Sequence, residues 1–123
     1  SEILALAMIE TRESFENIKS IVTIQGLSGI YIGPSDLSIG LSDGRLKPGM
    51  DRTEPEIVNA IKAILSEAKR AKILAGIHCA TAEYAAKAVG WGFDMVTVNS
   101  DMRLLADVAA GTVSNTRDLI KNV

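Results

Sequence analysis

Gly29-Ile30-Tyr31-Ile32-Gly33-Pro34-Ser35-Asp36-Leu37-Ser38, residues 29–38, is a short apolar run that stops at a Gly-Pro turn carrying a carboxylate. The alternative, a buried helix segment, is disfavoured because the run is short and bounded by Gly and Pro. It is apolar on consecutive residues, as a strand is when it is covered on both faces or closed into a barrel. Working outward, residues 3–9, 73–77 and 95–98 repeat the pattern, and residues 29–33 complete a set of four expected strands. Each is followed by a polar turn and then by a stretch of helical period. That alternation argues for an α/β fold of parallel βα units.

The expected helices carry their own marks. Thr53 is placed to cap a helix while Glu56 reaches back, and Pro55 sits in the first turn, where a missing N–H is harmless. Ile57, Ala60, Ile61, Ile64, Leu65 and Ala68 then recur at steps of three and four, leaving Lys62, Glu67 and Lys69 to water. Weaker stripes run through Phe15, Ile18 and Val22, through Ala82, Ala85, Ala86 and Val89, and through Leu104, Leu105 and Val108. Thr11, Thr81 and Asp101 are their expected N-caps. Residues 41–52, broken by Gly44, Pro48 and Gly49, are too long for an ordinary βα loop and are expected to be a functional loop or an oligomer contact. No linker or change of composition divides the chain, so residues 1–123 read as one domain.

Composition narrows the function classes. A 47% hydrophobic content, 23% charged residues and a formal charge of -2 describe a globular protein rather than a disordered one. Its 13 Lys and Arg are scattered among 15 Asp and Glu, so neither a nucleic-acid footprint nor a membrane-surface patch is expected. The lone Cys79 cannot form an internal disulfide, which favours a reducing compartment, with cytoplasm the expectation. The longest apolar stretch is far too short to span a bilayer, and no leader pattern opens the chain. A start at Ser1, close to an apolar strand, suggests a cut or processed polypeptide.

In parallel βα folds ligands bind at the carboxyl ends of the strands, where loops converge and helix N-termini present free N–H groups. The candidates there are Glu10, the run Gly33 to Asp36, the pair His78 and Cys79, and the pair Asn99 and Ser100. Neighbouring strands lie about 4.8 Å apart, so Glu10 and Asp36 can reach one ion. Two carboxylates completed by water and substrate oxygens suit a hard divalent cation. The plainer alternative is that both acids stabilise helix N-termini, at about 0.3–1 kcal/mol each.

The stretch Met8-Ile9-Glu10-Thr11, then Asn17-Ile18, then the 29–38 run resembles the metal-binding half of the HpcH/HpaI aldolase family. The likeness continues in order through the amphipathic helix to the fourth strand, with Asp94 before it. Members are TIM (β/α)8 barrels, and this chain resembles their second half. Such a half-barrel needs completion by oligomerisation or by a missing half. The resemblance implies that Glu10 and Asp36 hold a divalent metal, Mg²⁺, Mn²⁺ or Co²⁺. It also implies that the backbone N–H groups of Ser35 and Asp36 bind a keto-acid carboxylate, with Gly33 and Pro34 shaping the turn. The implied reaction is cleavage or formation of 4-hydroxy-2-oxo acids from pyruvate and an aldehyde by way of the pyruvate enolate.

Two departures bear on activity. Met8 stands where a glutamine is often found. The family's histidine base and substrate arginine belong to the other half of the barrel, so no catalytic residue is assigned here. His78 does not match that base and reads as structural or peripheral, and Cys79 reads as a small buried hydrophobe. Two alternatives to the aldolase remain at this point. One is a non-catalytic oligomeric half-barrel that binds ligand without turnover, and the other is a lyase of the citryl-CoA or malyl-CoA type.

Overall fold

The computed structural model describes residues 3–121. Four parallel strands form one sheet in the order β1-β2-β3-β4: β1 is Leu6–Ile9, β2 Gly29–Ile32, β3 Leu74–Cys79 and β4 Met95–Val98. Helices α1 (Arg12–Glu16), α2 (Ile18–Ile21), α3 (Pro34–Leu41), α4 (Pro55–Arg70), α5 (Ala82–Trp91) and α6 (Asp101–Ile120) occupy the connections and the C-terminal stretch. Consecutive strands are neighbours, so every connection is a simple βα crossover.

The pleat separates two faces. Ile9, Ile30, Ile32, Ala75, Ile77 and Cys79 point to the helix side and are fully buried there. They meet Ile57, Ile61, Ile64 and Ala68 of α4, so the stripe read from the sequence is core along its whole length. The opposite face carries Met8, Tyr31, His78, Met95 and Thr97, one residue out of phase. It is open, with Met8 half exposed. The consecutive apolar residues therefore mark a sheet with helices on one face only, a segment of a barrel wall.

Several sequence expectations shift in the structure. β1 begins at Leu6 rather than at residue 3, because its ladder partner starts only at Gly29; Ile3 and Leu4 overhang and are exposed. β3 extends through His78 and Cys79, which lie inside the strand because its ladder with β4 continues to Cys79–Val98. Thr53 does not cap α4: Glu54 holds the N-cap position and turns its carboxylate back to Arg52 and to the Thr53 N–H, while Glu56 pairs with Arg45. The Gly33–Asp36 run is the start of α3 rather than a free turn.

The α5 stripe is rotated by one residue. Tyr84, Ala85 and Ala88 are buried, whereas Ala82, Ala86 and Val89 face water. The N-cap of α6 is Ser100, whose hydroxyl accepts from the Arg103 N–H, rather than Asp101. None of α6 is buried, so Leu104, Leu105 and Val108 are surface residues here. Thr11 and Thr81 do cap α1 and α5 as expected, Thr11 in a reciprocal box with Ser14. Among the described residues no helix is long and apolar enough to cross a membrane.

Candidate active site

β1 delivers Glu10 directly from its carboxyl end, since Ile9 is the last paired residue. The Glu10 N–H donates to Ser14 Oγ at 3.2 Å, which ties the residue to the α1 cap. β2 ends one register step across, at Ile32 beside Ile9, and Gly33 follows as the N-cap of α3. A Cβ placed on Gly33 would lie 2.8 Å from Glu10 Oε2. Glycine therefore clears the space that the Glu10 carboxylate fills. Gly33 has φ -97, so what excludes a side chain is contact rather than backbone strain.

Pro34 opens α3 at a position where no N–H is needed. The Leu37 N–H is the first of the helix to bond back, to Gly33 O, which leaves the Ser35 and Asp36 N–H groups at the open helix start. Ser38 Oγ donates to Ser35 O at 2.7 Å and steadies this first turn. Glu10, Gly33, Ser35 and Asp36 line one pocket of about 250 Å³ together with Met8, Tyr31, Met50 and His78. Of the residues singled out from the sequence, Glu10, Gly33, Ser35, Asp36 and His78 meet there, whereas Pro34 is buried against the core, Cys79 points into it, Ser100 caps α6, and Asn99 is not among the lining residues.

One contributor carried no sequence signal. Met50 reaches the pocket from the long loop after α3. That loop is organised by Arg52, a buried cation bonded in two-pronged fashion to Glu54 and donating to Lys47 O and Gly49 O. It is moored by Asp51, whose carboxylate accepts from the Ala80 and Thr81 N–H groups and from the Thr81 hydroxyl. The resulting Glu54 carboxyl is held below the usual range, by backbone hydrogen bonding first and by Arg52 as well.

His78, expected to be structural or peripheral, is one of the residues that line this pocket. Cys79, its neighbour, points the other way into the core. Burial, with the Asp51 carboxylate adding to it, pushes its thiol up to about 11, so it stays protonated and inert at neutral pH. Among the described residues no group of three or more His, Cys, Asp and Glu is arranged to hold a metal. Glu10 and Asp36 put two carboxylates on one pocket, beside a space that a Cβ on Gly33 would fill. Such a set fits a hard cation that keeps water or substrate oxygens on its other positions.

Comparison with known proteins places the chain in a family and a fold. Residues 1–108 match the family model described as HpcH/HpaI aldolase/citrate lyase. A hydroxypyruvate/pyruvate aldolase of Rhizorhabdus wittichii is 36% identical over 95% of the chain and 45% of its own length. A 4-hydroxy-2-oxo-heptane-1,7-dioate aldolase of Klebsiella pneumoniae is 33% identical over 82% of the chain and 36% of its own. The crystal structure of an HpcH/HpaI aldolase from Desulfitobacterium hafniense superposes with a TM-score of 0.82 at 26% identity, covering 94% of this chain and 43% of that one. The chain thus spans less than half the length of each.

Proposed function

This chain belongs to the HpcH/HpaI aldolase/citrate lyase family, and from that premise we propose that it supplies the metal- and keto-acid-binding half of a class II pyruvate aldolase. The observation that carries the reading is the pairing of Glu10 and Asp36 in one pocket, with Gly33 leaving room for the Glu10 carboxylate. These two residues would hold a divalent cation, Mg²⁺, Mn²⁺ or Co²⁺. Bound there, the cation would supply Lewis acidity to the carbonyl of a 2-oxo acid and lower the cost of its enolate.

The chain's own groups also receive the keto acid. The Ser35 and Asp36 N–H groups at the start of α3 receive the carboxylate of pyruvate, helped by the positive end of the helix. Met8 and Met50 wall the pocket with apolar side chains, strengthening each polar contact inside it. The substrates are then pyruvate and an aldehyde, joined to or released from a 4-hydroxy-2-oxo acid. The relatives named above are aldolases, and nothing in the pocket supports acyl-CoA lyase chemistry in their place.

The test is pyruvate release from a 4-hydroxy-2-oxo acid by the native protein with added Mn²⁺, run beside calorimetry of metal binding. We expect metal-dependent release, and Asp36→Ala should abolish divalent-ion binding, since one carboxylate remains. Unchanged affinity in that variant would sink the site assignment. A second reading rests on the open sheet face: the chain by itself is an oligomeric binding module. Metal affinity and a defined oligomer without any pyruvate release would single it out.

A further inference from the structure

The open face of the sheet carries one polar cluster in an otherwise apolar row. Tyr31 on β2 lies beside Gly76 on β3, and His78, two residues further along β3, lies beside Thr97 on β4. A Cβ at Gly76 would sit 2.8 Å from the Tyr31 ring, so the bare glycine is what lets the phenol lean across β3. His78 Nδ1 is 2.8 Å from Thr97 Oγ1 and 3.3 Å from the Tyr31 hydroxyl, and those two hydroxyls are bonded to each other. Both partners fall on Nδ1. No hydrogen bond engages Nε2 among the described residues, and His78 lines the same pocket as Glu10, Ser35 and Asp36.

Of the proton arrangements these contacts allow, the one that starts from the stronger donor, the phenol, runs from Tyr31 to Thr97 Oγ1 and from Thr97 to Nδ1. With Nδ1 accepting, the neutral ring carries its hydrogen on Nε2. Strand order then says which substrate meets it. Glu10 ends β1 and Asp36 follows β2, whereas His78 stands on β3, roughly 5 Å further along the sheet. The keto acid occupies the first two positions, leaving the third for its reaction partner. Met8 and Met50 offer that partner no hydrogen bond.

We propose that His78 is a specificity-determining residue of this pocket, its Nε2–H donating to a hydroxyl of the aldehyde and selecting hydroxylated aldehydes over alkyl ones. This rests on the aldolase reading above. A hydroxylated aldehyde gains this hydrogen bond and an alkyl aldehyde cannot make it, and that difference is the source of the discrimination. Tyr31 and Thr97 are positioning residues that act through Nδ1.

The experiment uses the native, Mg²⁺-loaded protein and compares kcat/KM for addition of pyruvate to glyceraldehyde and to propanal, two three-carbon aldehydes. H78L should lower the glyceraldehyde-to-propanal ratio roughly three- to tenfold, the worth of one hydrogen bond. H78Q, whose amide nitrogen reaches the Nε2 position, should keep the ratio, and H78N, whose nitrogen reaches only the Nδ1 position, should lose it. That pair decides the matter even if H78L fails to fold. The chain has one histidine, so a single set of imidazole ¹⁵N signals reports the tautomer. Its protonated Nε2 should shift with glyceraldehyde and stay fixed with propanal, and T97V should disturb the tautomer. An unchanged ratio in H78N, or an Nε2 without a proton, would overturn this proposal alone. No addition with either aldehyde in the unmutated protein would overturn the aldolase reading and this proposal with it.

Discussion

Gly33 is the smallest residue of the pocket and one of its most constrained. Its missing Cβ leaves 2.8 Å between that position and Glu10 Oε2, so Gly33→Ala must push the carboxylate aside. Disturbing a ligand's support in this way typically costs 10- to 100-fold in metal affinity. Calorimetry should show roughly that loss for Gly33→Ala with circular dichroism unchanged; wild-type affinity would mean that Glu10 does not bind the ion from this position. Cys79 offers a second check at the same scale. Its thiol, pushed up to about 11 by burial, should resist alkylation at pH 8 in the native protein and react promptly in urea. Glu10, Gly33, Ser35 and Asp36 were legible in the sequence because strand ends and a Gly-Pro turn leave marks in residue order. Met50 was not, since nothing local in a loop says which side chain turns inward. His78 read as peripheral because it lies one residue past its apolar run, in a strand that continues to Cys79, and its partners Tyr31 and Thr97 come from other strands.

At the scale of elements, joints between strands and helices are held by single charged side chains. Asp94 enters β4 while its carboxylate accepts from the Ala75 N–H at 2.9 Å and from Lys69 of α4 at 2.6 Å. The Lys69 hydrogen bond and then the Ala75 N–H hold this carboxyl below the usual aspartate value. Because the folded value is the depressed one, the stabilisation is present above the ordinary aspartate pKa, about 3.9, and fades as pH falls through the folded value. Urea unfolding from pH 5 down to pH 3 should therefore show a steeper loss in the wild type than in Asp94→Asn; parallel curves would refute the linkage. Arg52 plays the same part for the long loop. Arg52→Ala leaves the Lys47 and Gly49 carbonyls without their side-chain donor and the Glu54 carboxylate with only the Thr53 N–H, and should cost about 1–3 kcal/mol. Faster amide exchange over residues 43–53 would accompany it. The α4 stripe was readable to the residue because six apolar positions repeat within one helix. The caps of α4 and α6 were misplaced by one residue because the deciding bonds, Glu54 to Arg52 and Ser100 to Arg103, compete with equally plausible neighbours.

At the scale of the molecule, a wall of four parallel strands has helices on one side and an open face on the other. β1 and β4 are edges, and Met8, Leu74 and Met95 are exposed on the open face at 50%, 40% and 37%. Apolar residues of α6 are likewise uncovered, among them Met102, Leu105 and Val108. Edges and apolar faces of this size attract partners. Sedimentation of the purified chain is expected to give a mass above that of one copy; a stable, monodisperse monomer would refute that expectation. Parallel βα order was legible from four repeated runs, but which face stays open was not, because both faces of these strands are written in apolar letters.

The anchoring of the long loop bears on how such a pocket can diversify. Asp51 fastens its far end to the start of α5, and Arg52 gathers Lys47 and Gly49 onto itself, so residues 43–50 form a cassette clamped at its exit. Neither clamp touches Glu10 or Asp36. Residues ahead of these clamps, Met50 included, can therefore be randomised as a library of pocket walls without rewriting the strand ends that hold Glu10 and Asp36.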